Sequence, residues 1–256
     1  MQLSELGGEI MEDKDLIIET TLLAGKIMIE NGADMARIDD TLKRIAKNSG
    51  VTEPDIFETT TGIMMSIKGA NAQVIAIEKR RIDLERISRV NDISRAYQAK
   101  TKTLREVHDH LMTLDQTTPD FRLRWLVLAA GIVGATLEIM YNGSWQDFLP
   151  TFVISALGYY LFYVVNTRFK VKFASEFVAA LAIGALAVLS VKYGLAKNYS
   201  IVIIGSVMPL VPGVPLTNAV RDLLAGHILS GIARATEALL TAVAIGMGIA
   251  CVLRFF

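Results

Sequence analysis

Residues 208–231 read MPLVPGVPLTNAVRDLLAGHILSG, an apolar stretch that holds half of the chain's six prolines. These prolines recur at every third position, as Pro209, Pro212 and Pro215. A proline inside a helix removes a backbone hydrogen bond and clashes with the preceding turn, at a cost of about 3 kcal/mol. We therefore expect the backbone of 208–216 to be unwound, shortly before the charged pair Arg221 and Asp222.

An unwound segment in a membrane must be buried in protein or line a water-filled cavity, because lipid cannot satisfy its backbone groups. Transporters use such broken helices to present carbonyl groups and helix ends to ions and substrates. The functional interpretation of 208–216 is therefore a transport path, and the alternative is a kink that only serves packing. The charges that follow the prolines so closely favour the path.

Charge is unevenly distributed along the 256 residues, although the net charge is zero. Residues 121–256 hold ten Lys or Arg and five Asp or Glu, against 16 and 21 in residues 1–120. Such a balance offers no basic surface for nucleic acid. The single cysteine, Cys251, can form no disulfide within the chain.

The second half predicts a multi-pass membrane domain, since a bilayer-spanning helix needs roughly 20 mostly apolar residues. Five ranges meet this length: 123–142, 148–167, 173–194, 198–217 and 228–253. Six Lys or Arg residues flank these ranges on the side of the N-terminal domain and three on the other side. The bias predicts a cytoplasmic N-terminal domain and, with an odd number of spans, an external C-terminus. We expect the chain to lie in the inner (cell) membrane.

The first half predicts a small cytoplasmic α+β domain over 14–118, after a disordered tail at 1–13 and before a transmembrane domain over 119–256. Apolar periodicity and turn residues predict its elements. These are helices over 14–31 and 35–49, strands over 55–60, 62–67 and 72–78, and a helical region over 83–115 broken near 100–103. The predicted fold is thus this domain followed by an all-α bundle of about five transmembrane helices, one broken by prolines.

Signals for catalysis, cofactors or metals are weak. The sequence has no phosphate-binding glycine loop, no Cys/His cluster and no serine elbow, and His108 and His110 point to different helix faces. Asp39-Asp40 and the stretch 58–61 could suggest catalysis. Charge on a helix surface explains the first better, and a polar hairpin explains the second better. We predict no cofactor, no metal and no enzymatic activity.

The last apolar range carries one polar face, formed by Ser230, Arg234, Glu237 and Thr241. Ionisable groups at membrane depth should face a partner or water. Arg234 and Glu237 are three residues apart, so a mutual structural clamp competes with a role in transport. Glu138 and Glu176 lie near predicted helix ends, where we expect them to reach the interface.

The chain resembles the threonine/serine exporter family over residues 14–256. The motifs that carry the resemblance are PLVPG at 209–213, TNA at 217–219, RDLLAG at 221–226, AGKIMIENGADMARIDDTLKRIAKNSGV at 24–51 and a hairpin around Thr60 to Ile63. It looks like the N-terminal half found in split, two-protein members. It departs at His227, where the family leads us to expect an acidic residue.

The resemblance implies proton-driven export of small amino acids, or of dicarboxylates such as succinate in related split systems. It also implies a second small membrane protein as partner; a homo-oligomer is the alternative. The side chains fit such a substrate, with arginines for a carboxylate and acids for an amine or a proton. The substrate-binding candidates are Pro209, Pro212, Gly213, Thr217, Asn218, Arg221 and Arg234, and the proton-coupling candidates are Asp222 and Glu237.

A rival hypothesis from a different class is a membrane-anchored enzyme or sensor whose function resides in 14–118. It predicts an inert helical bundle. The polar face on the last helix and the proline-rich break argue against it.

Overall fold

The computed structural model describes residues 2–78, 81–117, 121–169, 171 and 173–255, with side chains from residue 14 onward. The chain divides into two compact units. The first unit is Met1–Pro119 together with Val214–Ala235, and the second is Asp120–Gly213 together with Thr236–Phe256.

The elements follow one another along the chain in a simple order. They are α1 (Gln2–Glu30), α2 (Met35–Asn48), β1 (Asp55–Thr59), β2 (Gly62–Ser66), β3 (Gln73–Ala76), α3 (Leu84–Gln98), α4 (Leu104–Gln116), α5 (Leu123–Met140), α6 (Trp145–Phe169), α7 (Ala174–Lys192), α8 (Tyr199–Val207), a 3₁₀ turn (Met208–Leu210), α9 (Gly213–Leu224) and α10 (Ile228–Leu253).

Local sequence signals account for most elements of the first unit. The Asp34 carboxylate caps α2 by accepting a hydrogen bond from the Arg37 amide. The three strands form one antiparallel sheet in the order β1-β2-β3. The predicted break near 100–103 separates α3 from α4. The backbone of α1 is helical from Gln2, and the side chains of the tail predicted at 1–13 lie outside the described residues.

The core of the first unit comes from apolar residues at helical spacing on α1 and α2, covered by alternate residues of β2. Its fully buried members include Ile18, Ile27, Met28, Ile38, Leu42, Ile45, Ile63 and Met65. A glycine is needed where α1 ends, because Gly32 has a φ of +88°. The tight turn that follows, over 31–34, brings α2 back along α1.

The second unit consists of helices, and so the prediction of a helical membrane domain is confirmed. Among the residues that the structure describes, four helices are long and apolar enough to cross a membrane, namely α5, α6, α7 and α10. A fifth span results only if α8 with its 3₁₀ turn and α9 count as one, and that pair is bent by 61°.

The break in this pair is shorter than the sequence predicts. A 3₁₀ turn covers Met208–Leu210, Val211 is extended with a ψ of 128°, and α-helix resumes at Gly213. The predicted unwinding over 208–216 is therefore confined to 208–212. Pro215 lies in the first turn of α9, where a helix tolerates proline because that turn has no internal acceptor for its amides.

Close backbone approach holds α5 and α8 together. A Cβ atom added to Gly205 would lie 2.7 Å from the Gly134 carbonyl oxygen and 2.9 Å from the Glu138 Cβ. The Ser155 hydroxyl of α6 donates a 2.8 Å hydrogen bond to the Ala130 carbonyl of α5. Small residues at helix contacts are the usual means of packing helices within a membrane.

We predict that Gly205→Ala destabilises the second unit by about 1–3 kcal/mol, because the new methyl group collides with backbone that cannot move aside. Gly246→Ala is the matched control, since a Cβ there meets no atom within 4 Å. Thermal unfolding of the detergent-purified chain should show a lower midpoint for the first variant only. Equal midpoints for both variants would contradict the close approach of α5 and α8.

Candidate functional site

Three polar side chains of the first unit converge on the turn between α1 and α2. Asn218 of α9 donates a 2.7 Å hydrogen bond from Nδ2 to the Gly32 carbonyl. Arg234 of α10 donates from Nη2 to the Ala33 carbonyl, also at 2.7 Å. Asp222 accepts a 2.7 Å hydrogen bond from the Met35 amide. We call Asn218, Asp222 and Arg234 the turn-binding cluster.

The cluster contains a buried ion pair. Asp222 is completely buried, Arg234 is 8% exposed, and Arg234 Nε lies 3.3 Å from Asp222 Oδ2. The other carboxylate oxygen of Asp222 meets the amide of the first residue of α2, where the helix dipole favours negative charge. The charges of the pair are thus compensated by each other and by the turn.

A second, more exposed ion pair lies beside the cluster. Arg221 Nη1 is 3.8 Å from Asp34 Oδ2, and the Arg221 side chain is 63% exposed. Exposed pairs of this kind contribute little to stability, since water screens them. Arg221 is therefore free to change partner at small cost, unlike Arg234.

The turn itself is held in place independently of the cluster. The Asn31 side-chain amide donates to the Ile27 carbonyl, and Arg81 Nε donates to the Asn31 side chain at 3.1 Å. The Arg81 amide also donates to the Glu30 carbonyl. These contacts leave the carbonyls of residues 32 and 33 directed at the cluster.

A further contact joins the start of α10 to the sheet. His227 Nδ1 lies 3.7 Å from Glu58 Oε1 of β1. Burial, followed by the nearby charge of Asp39, raises the pKa of Glu58, while His227 and Lys43 act in the opposite direction. Glu58 thus faces His227.

We predict that Glu58 makes stability depend on pH. The folded chain binds the Glu58 proton more tightly than the unfolded chain does, because the folded pKa is raised. The contribution of Glu58 to the free energy of unfolding is therefore fully present at pH values below the ordinary pKa of a glutamate. It is lost as the pH rises through the pKa that Glu58 has in the folded chain. The melting midpoint of Glu58→Gln should rise relative to wild type over that interval.

Glu53→Gln is the matched control, because it removes the same charge from an exposed position just before β1. Melting curves of both variants and the wild type, measured from pH 4 to pH 8, test the effect. A Glu58→Gln midpoint that follows the wild type at every pH would contradict it.

Comparison with known proteins places the whole described fold in one family. Residues 19–256 match the family ThrE, described as "Putative threonine/serine exporter". The chain belongs to the threonine/serine exporter family. The resemblance found in the sequence is thereby confirmed, and membership of this transporter family supports a transporter rather than an enzyme.

Two relatives of this exporter family member are described as "Probable succinate transporter subunit YjjP". The one from Escherichia coli K12 is 24% identical over 245 residues, which cover 93% of this chain and 94% of the relative. The one from Klebsiella aerogenes is 26% identical over 230 residues, covering 87% of each. No solved structure matches the chain.

The structure separates the site candidates of this exporter family member into the two units. Asn218, Arg221, Asp222 and Arg234 meet at the turn over 31–34. Thr217 is exposed and donates to the Val214 carbonyl within α9. The candidates in the second unit are Pro209, Pro212, Gly213 and Glu237. Within the described residues, no three His, Cys, Asp or Glu side chains are grouped to hold a metal ion.

Sequence reasoning missed the partners of the cluster. It named Glu237 as a possible partner of Arg234 and did not predict that Asp222 lies beside Arg234. It also treated Glu138 as an interfacial residue, which is wrong, because Glu138 is completely buried within the second unit. The stretch ENGAD at 30–34 was the available signal, since it is one of the motifs shared with the family.

Proposed function

We propose that this chain is one subunit of a proton-coupled secondary exporter of small amino acids such as threonine and serine. Residues 14–118 would lie in the cytoplasm and the apolar helices of residues 119–256 in the inner membrane. The observation that carries the proposal is the buried pair of Asp222 and Arg234, with Asn218 beside it, in a member of an exporter family.

The turn over 31–34 occupies the cluster in the way that an amino acid would. Arg234 and Asn218 donate to carbonyl oxygens, and a substrate carboxylate offers the same acceptors with a full negative charge. Asp222 accepts from an amide N–H, and a substrate ammonium group offers a stronger donor. A zwitterionic amino acid can therefore take the place of the turn. Its carboxylate replaces the carbonyl oxygens, its ammonium group replaces the amide N–H, and no buried charge is left uncompensated.

A dicarboxylate exporter is the second candidate, because the two relatives are described as succinate transporter subunits. A second carboxylate would need a second cation. Arg221 is the candidate, since it is exposed and only loosely paired with Asp34. The two candidates thus differ in whether Arg221 contacts the substrate.

The break between α8 and α9 supports a transport path in this proposal. Pro212 fits its extended neighbour Val211, because a proline disfavours the helical conformation in the residue before it. The broken pair would expose carbonyl groups to the substrate at the membrane. If α8 and α9 form one bent span, the number of spans is odd, which favours assembly with a second membrane protein that supplies the opposite half. Both relatives are also described as subunits.

The test is export of labelled threonine, serine and succinate from cells that express the chain with its partner, compared with either protein alone. Arg234→Lys keeps the charge but loses the planar donor pair, and it should lower export at least about tenfold, a loss of roughly 1.4 kcal/mol. Arg168→Lys, in an exposed position at the end of α6, is the matched control. Export of none of the three substrates by the pair would overturn the proposal, as would full export by Arg234→Lys.

A further inference from the structure

Glu138 is a buried carboxyl group without a hydrogen bond. It lies in the last turn of α5, is 0% exposed, and neither carboxylate oxygen makes a hydrogen bond of normal geometry within the described residues. The amide of Ser144 faces the group but does not close such a bond. An isolated carboxylate in this environment would be strongly disfavoured, whereas a neutral carboxylic acid is tolerated.

A second carboxyl group lies near Glu138 and, unlike Glu138, is hydrogen-bonded. Asp147 of α6 is 2% exposed and accepts hydrogen bonds from the Ser144 hydroxyl and the Lys197 amide. It is close enough to act electrostatically on Glu138. Hydrogen-bond donors stabilise the charged form of a carboxyl group, and two adjacent carboxylates do not both ionise readily. The two neighbouring carboxyl groups thus differ in their surroundings, because Asp147 accepts two hydrogen bonds and Glu138 accepts none of normal geometry within the described residues.

The loop between α5 and α6 is shaped around the Glu138 carboxyl group. A Cβ added to Gly143 would lie only 1.6 Å from Glu138 Oε1, so that no other residue type fits at position 143 without moving the carboxyl group. Asn142 adopts a left-handed conformation with a φ of 62°, which folds the loop back over the helix end. Movement of this short loop would open the group to water.

The other elements packed against Glu138 add no charge. A Cβ added to Gly205 of α8 would lie 2.9 Å from the Glu138 Cβ and 2.9 Å from the Thr151 methyl group of α6. Helix α8 (Tyr199–Val207) contains no Asp, Glu, Lys or Arg. Among the described residues, Asp147 is therefore the charged group that acts on Glu138.

We propose that Glu138 is a proton-binding site of the transport unit, loaded and emptied as the loop over 141–144 opens and closes. The inference rests on the proposed function for its role in transport, but the proton itself can be observed without transport. With residues 14–118 in the cytoplasm, as proposed, α5 ends at the outer surface, where an exporter driven by inward proton flow takes up its proton. The step is a reversible protonation of the Glu138 carboxylate by water-borne protons, and it needs no other reactant.

Infrared difference spectroscopy of the full chain with its partner in lipid nanodiscs tests the site directly. At neutral pH the wild type should show the C=O band of a buried carboxylic acid, which Glu138→Gln should remove. Glu176→Gln is the matched control, because Glu176 is a carboxyl group of α7 that accepts a hydrogen bond from Ser175. Gly143→Ala should shift or abolish the band by displacing the carboxyl group. A band that is absent from the wild type, or that persists unchanged in Glu138→Gln, would overturn the proposal.

The role in coupling is tested by export from cells under an imposed proton gradient. Glu138→Gln should lose the stimulation by the gradient, and Glu176→Gln should retain it. Stimulation of Glu138→Gln equal to that of wild type would overturn the coupling role. If the wild-type pair exports no threonine, serine or succinate, the proposed function fails while the infrared band still decides whether Glu138 holds a proton.

Discussion

The substitution Asp222→Asn should lower the free energy of unfolding by about 3–5 kcal/mol, because it removes one charge of a buried ion pair, the carboxylate 3.3 Å from the Arg234 guanidinium. For a chain of this size the melting midpoint should fall by roughly 10 °C. Asp92→Asn, in an exposed position on α3, is the matched control and should stay within a few degrees of wild type. Thermal unfolding of the detergent-purified chain measures both effects.

Two double variants separate charge from hydrogen bonding in the same pair. Exchanging the charges, with Asp222→Arg and Arg234→Asp, keeps opposite signs but sets a donor against the Met35 amide and an acceptor against the Ala33 carbonyl. We expect no rescue, because buried groups are then left unpaired. The neutral combination of Asp222→Asn and Arg234→Gln keeps both hydrogen-bond polarities and should be more stable than Asp222→Asn alone. Full stability of the charge-exchanged variant would show that the turn plays no part.

Replacing Pro212 by alanine should straighten the helix pair formed by α8 and α9 and abolish transport. Val211 is the extended residue at the break, and Pro212 disfavours any helical alternative for it. Removing a proline from a helix interior makes the helical state more favourable by about 3 kcal/mol. Pro215→Ala is the matched control, because Pro215 already lies within the first turn of α9.

The distance between spin labels at Ile204 and Val220 reports the bend, and both positions can be labelled because they are exposed. Cys251→Ser first removes the native thiol. Sixteen residues of continuous helix separate two Cα atoms by about 24 Å, and the 61° bend shortens this distance. Pro212→Ala should lengthen the measured distance and reduce export, while Pro215→Ala should change neither. An unchanged distance in Pro212→Ala would assign the bend to packing rather than to the proline.

Short-range physics made several features predictable from the sequence. The Asp34 cap and the Asn31-Gly32 turn determine where α1 ends and α2 begins. Alternation over 55–78 predicts the three strands, and long apolar runs predict the membrane helices. The proline spacing placed a break within 208–216. Each of these signals acts between residues only a few positions apart, so the sequence alone contains them.

Tertiary structure alone decided which polar groups meet. Asn218 and Arg234 find their partners in the turn over 31–34, and Asp222 finds its partner in Met35, the first residue of α2; these partners are 186 to 201 residues away. Periodicity carries no information about such pairs, because it describes one helix at a time. The same holds for Glu138, whose position near a helix end predicted exposure. Its burial follows from the loop at Gly143 and from Gly205 of α8, which lies 67 residues away and fits there only because it has no side chain.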